Sequence, residues 1–324
     1  MLFPQSGVEV SPFIPPLVAF VVSFFTSMGG VSGAFLLLPF QVSYLGFSSP
    51  AVSSTNLVFN IVAIPSGIYR YLREGRMSWP LTWVVVVGTL PGVAIGAWLR
   101  IRYFLEPRYF KLFVGLVLLY IGARLVLDLA GRSRRAKEES KRAEAEFNRR
   151  LREKLRVGKG AGAVGVSGPD TSVRTVEFSL GRIIYTFYGE TFSFPTWGVF
   201  ALSFIVGIIG GTYGIGGGAI VAPFFVAVFR LPVYTVAGAA LAGTFITSVF
   251  GVVFYQFMLP LFAPANLPVA PDWLLGLLFG LGGLAGVYCG ARLQKFIPAA
   301  FIKAMLALIV LGTAGKYILG FWTA

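Results

Sequence analysis

Apolar residues run in long blocks, parted by short polar or basic stretches. The blocks are Phe13 to Met28, Ala34 to Gly46, Ala51 to Tyr69, Pro80 to Leu99 and Tyr109 to Leu129, then Thr196 to Ile209, Ala219 to Phe229, Tyr234 to Met258, Trp273 to Leu293 and Phe301 to Phe321. A helix needs ~20 apolar residues to cross a bilayer, so the pattern predicts an all-α polytopic membrane protein of ten segments. The second and seventh blocks are too short for ordinary spans at ~1.5 Å per residue. They read as half-helices or as return limbs of re-entrant hairpins. The first block lacks the basic flank and small-residue cleavage site of a secretory leader, so it is expected to persist as helix.

The blocks repeat. An offset of 184 superposes Phe20, Val22, Gly30, Gly33, Pro39, Phe40 and Val52 on Phe204, Val206, Gly214, Gly217, Pro223, Phe224 and Val236. An offset of 194 carries Trp79, Leu81, Gly88, Leu90, Gly92, Val93, Gly96, Ala97 and Leu99 onto Trp273, Leu275, Gly282, Leu284, Gly286, Val287, Gly290, Ala291 and Leu293. Apolar residues coincide easily, but shared Gly, Pro and Trp positions do not, so two five-segment repeats are expected. The expected domains are residues 1–129, an insertion at 130–195, and residues 196–324.

Loop charge gives the orientation. The loop with Arg70, Arg73 and Arg76 is basic, whereas its counterpart from Leu259 to Pro271 has neither Lys nor Arg. Positive loops stay inside, so the two repeats are expected to be inverted. The same reasoning puts the insertion in the cytoplasm, because Arg132 to Lys159 holds twelve Lys or Arg against five Glu. Arg100, Arg102, Arg108 and Lys111 oppose this scheme, since they would face outward.

Composition agrees with a membrane chain: 56% of the 324 residues are hydrophobic and 12% charged, against roughly 25% charged in soluble domains. The formal charge of +14 sits in loops beside the apolar blocks, which reads as positive-inside bias and not as a nucleic-acid surface. Histidine is absent and Cys289 is the lone cysteine. Imidazole chemistry, an internal disulfide and a thiolate metal cluster are thereby excluded, and no enzyme mechanism or cofactor suggests itself.

Within the insertion, Glu138 with Arg142 and Glu146 with Arg150 stand at helical ion-pair spacing. The basic helix from Arg134 to Arg156 reads as solvated, as lying on anionic lipid, or as packed on a cytoplasmic partner. Beyond it, Arg174 to Phe194 alternates apolar and polar positions around Gly181, which predicts a small β-hairpin.

Two glycine clusters, Met28 to Gly33 (MGGVSG) and Gly210 to Gly218 (GGTYGIGGG), occupy the same place in each repeat. Glycine runs break helices, and backbone freed inside a membrane must be buried in protein or line a wet cavity. Helix N-termini attract anions, and discontinuous helices at a repeat interface form transporter sites. The candidate substrate-binding set is therefore Gly29, Gly30, Ser32 and Gly33 with Gly214, Gly216, Gly217 and Gly218. Ser53, Thr55, Asn56, Asn60 and Thr244 in the following helices join it, and Gln41, Thr212 and Tyr213 are further neutral donors. Asn56 and Asn60 either bond substrate oxygens or bond helix to helix. By contrast, Gly92 with Gly96 and Gly286 with Gly290 read as close helix packing. No Asp or Glu falls centrally in a block, so the chemistry points to an anion held by neutral donors.

The half-motifs Gly29 to Pro39 (GGVSGAFLLLP) and Gly214 to Pro223 (GIGGGAIVAP) resemble the duplicated signature of the TauE/SafE sulfite exporter family, as do Ala51 to Asn56 (AVSSTN) and Tyr71 to Trp79 (YLREGRMSW). The resemblance spans the membrane portion but not the insertion. Gly238, Ala239 and Ala240 stand where members often carry a Thr-Ser pair. The resemblance implies transport of small sulfur-containing anions such as sulfite, sulfoacetate or other organosulfonates, outward across the cytoplasmic membrane. An alternating-access exporter with substrate between the two glycine breaks is the expectation; an anion channel, an importer of thiosulfate-like compounds, and a membrane subunit or sensor are the alternatives.

Overall fold

A computed structural model describes residues 1–28, 32–73, 77–130, 173–179, 181–187, 190–229, 233–264, 267–293 and 299–323. Gly29, Gly30, Arg76 and the basic segment from Arg134 to Arg156 lie outside the described residues. Helices dominate: α1 (Ile14–Met28), α2 (Ala34–Ser43), α3 (Ala51–Ala63), α4 (Pro65–Arg73), α5 (Trp79–Arg102) and α6 (Pro107–Ala130) come first. Further along the chain come α7 (Thr196–Tyr213), α8 (Val221–Phe229), α9 (Val233–Val253), α10 (Trp273–Leu293) and α11 (Ala299–Thr323). Among the described residues seven helices are long and apolar enough to cross a membrane. The chain is an all-α polytopic membrane protein.

α1 has 15 residues and therefore reaches only ~22 Å, less than the ~30 Å hydrocarbon core. Both limbs of the first hairpin are thus short, where the pattern flagged only the second. α2 and α8 have 10 and 9 residues. In the second half the long limb is α7, with 18 residues.

Two small sheets flank the helices. Residues Leu2–Phe3 (β1) pair with Val8–Glu9 (β2), a hairpin that the apolar pattern does not announce because it is only two residues deep. The expected hairpin after Arg174 gains a strand: Arg174–Phe178 (β3), Arg182–Phe187 (β4) and Glu190–Pro195 (β5) form an antiparallel sheet in that order. β5 runs directly into α7 at Thr196, whose Oγ1 donates to Ser179 O at 2.8 Å. Ile183, Tyr185 and Phe194 are buried on its inner face, while Val176 and Phe178 are exposed.

The closest helix pairings cross between the halves. α5 packs along α7 through Gly88, Gly92 and Gly96, and a Cβ at each would strike the carbonyls of Phe200, Phe204 and Ile208 in turn. α10 packs along α1 through Gly282, Gly286 and Gly290, where the obstructing carbonyls belong to Pro16, Phe20 and Phe24. These are the same positions under the offsets of 184 and 194. In both pairs the register rises together, so the partner helices run in the same direction. Small residues let backbones approach where lipid offers no hydrophobic drive for association.

Gly92→Leu and Gly286→Leu are accordingly expected to lower thermal stability in detergent by similar amounts. Each forces bulk against backbone, which costs at least ~1–3 kcal/mol. At Gly315 an added Cβ meets nothing within 4 Å, so Gly315→Ala should be neutral or slightly stabilising. Equal melting temperatures for Gly92→Leu and the wild type would contradict the packing.

Candidate functional site

Helix α7 ends at Tyr213 because Gly214 turns left-handed, at φ 84° and ψ 30°. The N–H groups of Gly214 and Ile215 both return to the carbonyl of Gly210, at 2.8 and 3.0 Å. Glycine takes this conformation at little steric cost, which is why it closes so many helices. Gly216 follows at φ 77° and ψ 146°, then a 3-10 turn over Gly217–Ala219 leads into α8. A buried membrane helix is therefore interrupted over about half a dozen residues, and Gly214 through Gly218 are all buried.

The interruption is sewn to the first half by one face of α3. Ser53 Oγ donates to Tyr213 O at 3.3 Å, Asn56 Nδ2 to Gly214 O at 2.9 Å, and Asn60 Nδ2 to Ile215 O at 2.9 Å. Spacings of three and four residues put these side chains on one helical face, and they meet three consecutive carbonyls. The second Asn56 donor reaches Ala34 O at 3.1 Å, and its Oδ1 accepts from Gln41 Nε2 at 3.3 Å. Asn60 Oδ1 accepts from Ser32 Oγ at 3.0 Å. Ser32 Oγ in turn accepts from Ala34 N at 3.3 Å, at the start of α2. Tyr213 closes the loop from the other side, its hydroxyl donating to Phe35 O at 2.7 Å.

So Ser32, Gln41, Ser53, Asn56, Asn60, Tyr213 and Gly214 form one buried network joining the two broken hairpins. Gly33 stands at its edge, against Ser23 and Thr26 of α1. In this network Asn56 spends both amide hydrogens on protein carbonyls, the helix-to-helix reading of that residue.

Gly216, Gly217 and Gly218 form a second patch against α9 and α5. A Cβ on Gly216 would come to 2.9 Å from Ser248 Oγ and 3.0 Å from Thr244 Cγ2. Gly217 N donates to Thr247 Oγ1 at 3.2 Å, and its α-carbon faces the Thr89 side chain. Thr244 Oγ1 bonds back to Ala240 O at 2.8 Å. Ser248 Oγ and Gln41 Oε1 are buried without a partner. Buried polar atoms are nearly always paired, so these two keep bonding capacity that the described residues do not fill.

Two expected members lie elsewhere. Thr212 Oγ1 donates to Gly96 O at 3.1 Å and so belongs to the α5–α7 seam. Thr55 Oγ1 accepts from Asp272 N at 2.9 Å, tying α3 to the loop before α10. Gly29 and Gly30 fall outside the described residues.

The sequence reading passed over Thr89, Asp272 and the structural part of Arg100. Asp272 is 2% exposed; it caps α10 by accepting from Leu275 N at 3.1 Å and accepts from Ser6 Oγ at 2.9 Å. An Asp directly before an apolar helix is an N-cap signal, so this residue was legible. Thr89 was not, because a lone Thr within an apolar helix carries no local signature. No cluster of His, Cys, Asp or Glu that could hold a metal occurs among the described residues.

The family model for the sulfite exporter TauE/SafE matches residues 16–317. No curated protein and no solved structure matches the chain.

Proposed function

The chain belongs to the TauE/SafE sulfite exporter family and is a multi-pass membrane transporter of small sulfur anions, not an enzyme; on that premise we propose that it exports sulfite or a small organosulfonate through a site at the Gly214 to Gly218 break. The observation that carries this reading is the division of labour at the break. Ser53, Asn56 and Asn60 cover the carbonyls of residues 213–215. The electronegative side of the turn is thereby neutralised by protein. The Ser248 hydroxyl beside the turn has no partner, and, apart from Gly217 N–H, which donates to Thr247 Oγ1, the N–H groups leading into α8 are the donors we assign to an oxyanion.

Alternating access follows if one half rocks on the other, with the two broken hairpins as the moving parts. The helix pairings, α1 with α10 and α7 with α5, are compatible with inverted halves, in which the two hairpins would begin at opposite ends of the bundle. The basic loop before α5 and the neutral loop before α10 are consistent with the cytoplasmic and outer sides respectively. Two of the four opposing charges are held locally: Arg108 donates to Phe321 O at 2.6 Å, capping α11, and Arg100 is buried. In this proposal the insertion at 130–195 is a cytoplasmic domain.

Purified protein in proteoliposomes should give sulfite flux that saturates and rises steeply with temperature. Single-channel currents would favour a channel instead, and absence of flux for sulfite, sulfoacetate and thiosulfate alike would overturn the reading. Ser248→Ala should reduce flux about tenfold, the worth of one hydrogen bond to a charged ligand, without lowering thermal stability. Normal flux in that variant would remove Ser248 from the site.

A further inference from the structure

Arg100 closes the last turn of α5 with none of its surface exposed. Its Nη1 donates to Phe104 O and its Nη2 to Ser48 O, the latter at 3.2 Å. The guanidinium also stacks on the Phe110 ring, 3.7 Å from the centroid. Nε has no partner, and no carboxylate among the described residues pairs with the group. A guanidinium carries five N–H donors, and the two bonded carbonyls leave most of them unused. Carbonyl dipoles restore only part of what a cation loses on leaving water, so buried charges are met by opposite ones. Among the described residues none is supplied.

The location gives that missing charge a meaning. Gly96, one turn or about 6 Å before Arg100 along α5, accepts from Thr212 Oγ1 at 3.1 Å. Ala97 and Ile101, flanking Arg100 in the same helix, pack with Tyr255. The Tyr255 hydroxyl reaches Gly211 O at 3.4 Å. Tyr255 is also the second residue of a π-turn that continues α9, Phe254–Met258, and such turns gather at functional sites. The cation therefore stands about one turn from the residues that lead into the Gly214 break.

We propose that Arg100 is a second anion subsite, which receives a small oxyanion on the Nε edge of its guanidinium as the anion passes between the glycine break and this end of α5. The proposal rests on the transport reading above and adds a waypoint to it. Adjacent Nε–H and Nη–H groups form the fork that matches two oxygens of one anion. The pairing also explains how an uncompensated cation is tolerated: the resting contacts to Phe104 and Ser48 hold it until an anion arrives.

The test uses wild-type proteoliposomes whose sulfite flux is measured first. Phenylglyoxal, an arginine reagent, is added during turnover, and labelling of the Arg100 peptide is followed by mass spectrometry. Saturating sulfite should slow that labelling about tenfold, while an equal osmolarity of sorbitol should not. A purely structural clamp would remain unlabelled throughout, or would label at one rate with and without sulfite, and either result overturns the subsite. In parallel, Arg100→Gln should lose at least about tenfold in flux and Arg100→Lys should retain more of it with a raised KM. Full flux in Arg100→Gln would also overturn the subsite while leaving the transport reading intact. If wild-type protein moves no sulfur anion, both fall together.

Discussion

Gly216→Ala is expected to cut sulfite flux about 100-fold, the scale of a ~1 Å misplacement of binding groups, while the protein still folds. The residue sits at φ 77° and ψ 146°, where a side chain costs ~1–3 kcal/mol. The new methyl would also press on Ser248 Oγ at 2.9 Å and on Thr244 Cγ2 at 3.0 Å. Ser248 can rotate away, so the collision is relieved at the expense of the one hydroxyl that the break leaves unpartnered. The backbone can relax only by untwisting the turn into α8, which moves the N–H groups proposed to hold the anion. Stability should fall by a few degrees, because a strain of ~1–3 kcal/mol is small against the bundle. Flux assays in proteoliposomes, run beside thermal unfolding and with Gly315→Ala as control, decide the matter. Flux within threefold of wild type would take the break out of the site.

The second large effect is on stability and falls on Asn56. Both of its amide hydrogens are committed, to Ala34 O at 3.1 Å and Gly214 O at 2.9 Å, and its oxygen accepts from Gln41. Asn56→Asp replaces a double donor with acceptors at a position of zero exposure. Two carbonyls would then face a carboxylate, and each lost partner costs ~1–3 kcal/mol before any charge is desolvated. Asn56→Leu loses the same bonds without placing a charge there, so it should be the milder change. The expected order of melting temperature is wild type, then Asn56→Leu, then Asn56→Asp, with the last expressed poorly. An Asn56→Asp protein as stable as wild type but altered in anion affinity would make Asn56 a substrate ligand and not a seam.

Asn56 also illustrates why the site was only half legible in the sequence. The pattern places Ser53, Asn56 and Asn60 on one face of a membrane helix, where amides in an apolar block must turn inward. That much is a local argument about the cost of an unpaired amide in lipid. What they bind is a long-range fact: carbonyls more than 150 positions away in the chain, at the glycine break of the other half. Thr55 shows the opposite outcome, since it adjoins Asn56 yet faces the loop at Asp272, because neighbouring residues on a helix point to different sides.

Arg100 was misread for a related reason. Counted as a loop charge, it contradicted the inverted orientation; buried at the end of α5, it no longer counts as one. Loop-charge rules treat every basic residue as solvated, and only packing tells a snorkelling arginine from an enclosed one.

By itself the sequence determined the membrane class, the helix-breaking glycines of the second cluster and the lack of histidine or central acids, and it set up the expectation of duplicated blocks. Each follows from properties summed along the chain: apolar run length, shared Gly, Pro and Trp positions, and the conformational freedom of glycine. The tertiary structure alone decided what the packing glycines lie against and which glycines of the break turn left-handed. Gly92 and Gly96 lie against carbonyls of α7, whereas Gly214 and Gly216 adopt positive φ. It likewise decided that Asn56 spends its amide on the opposite half and that Arg100 is enclosed with no acid beside it among the described residues. These outcomes depend on which surfaces meet when the two halves interlock, and a chain read in order carries no distance between residues so far apart.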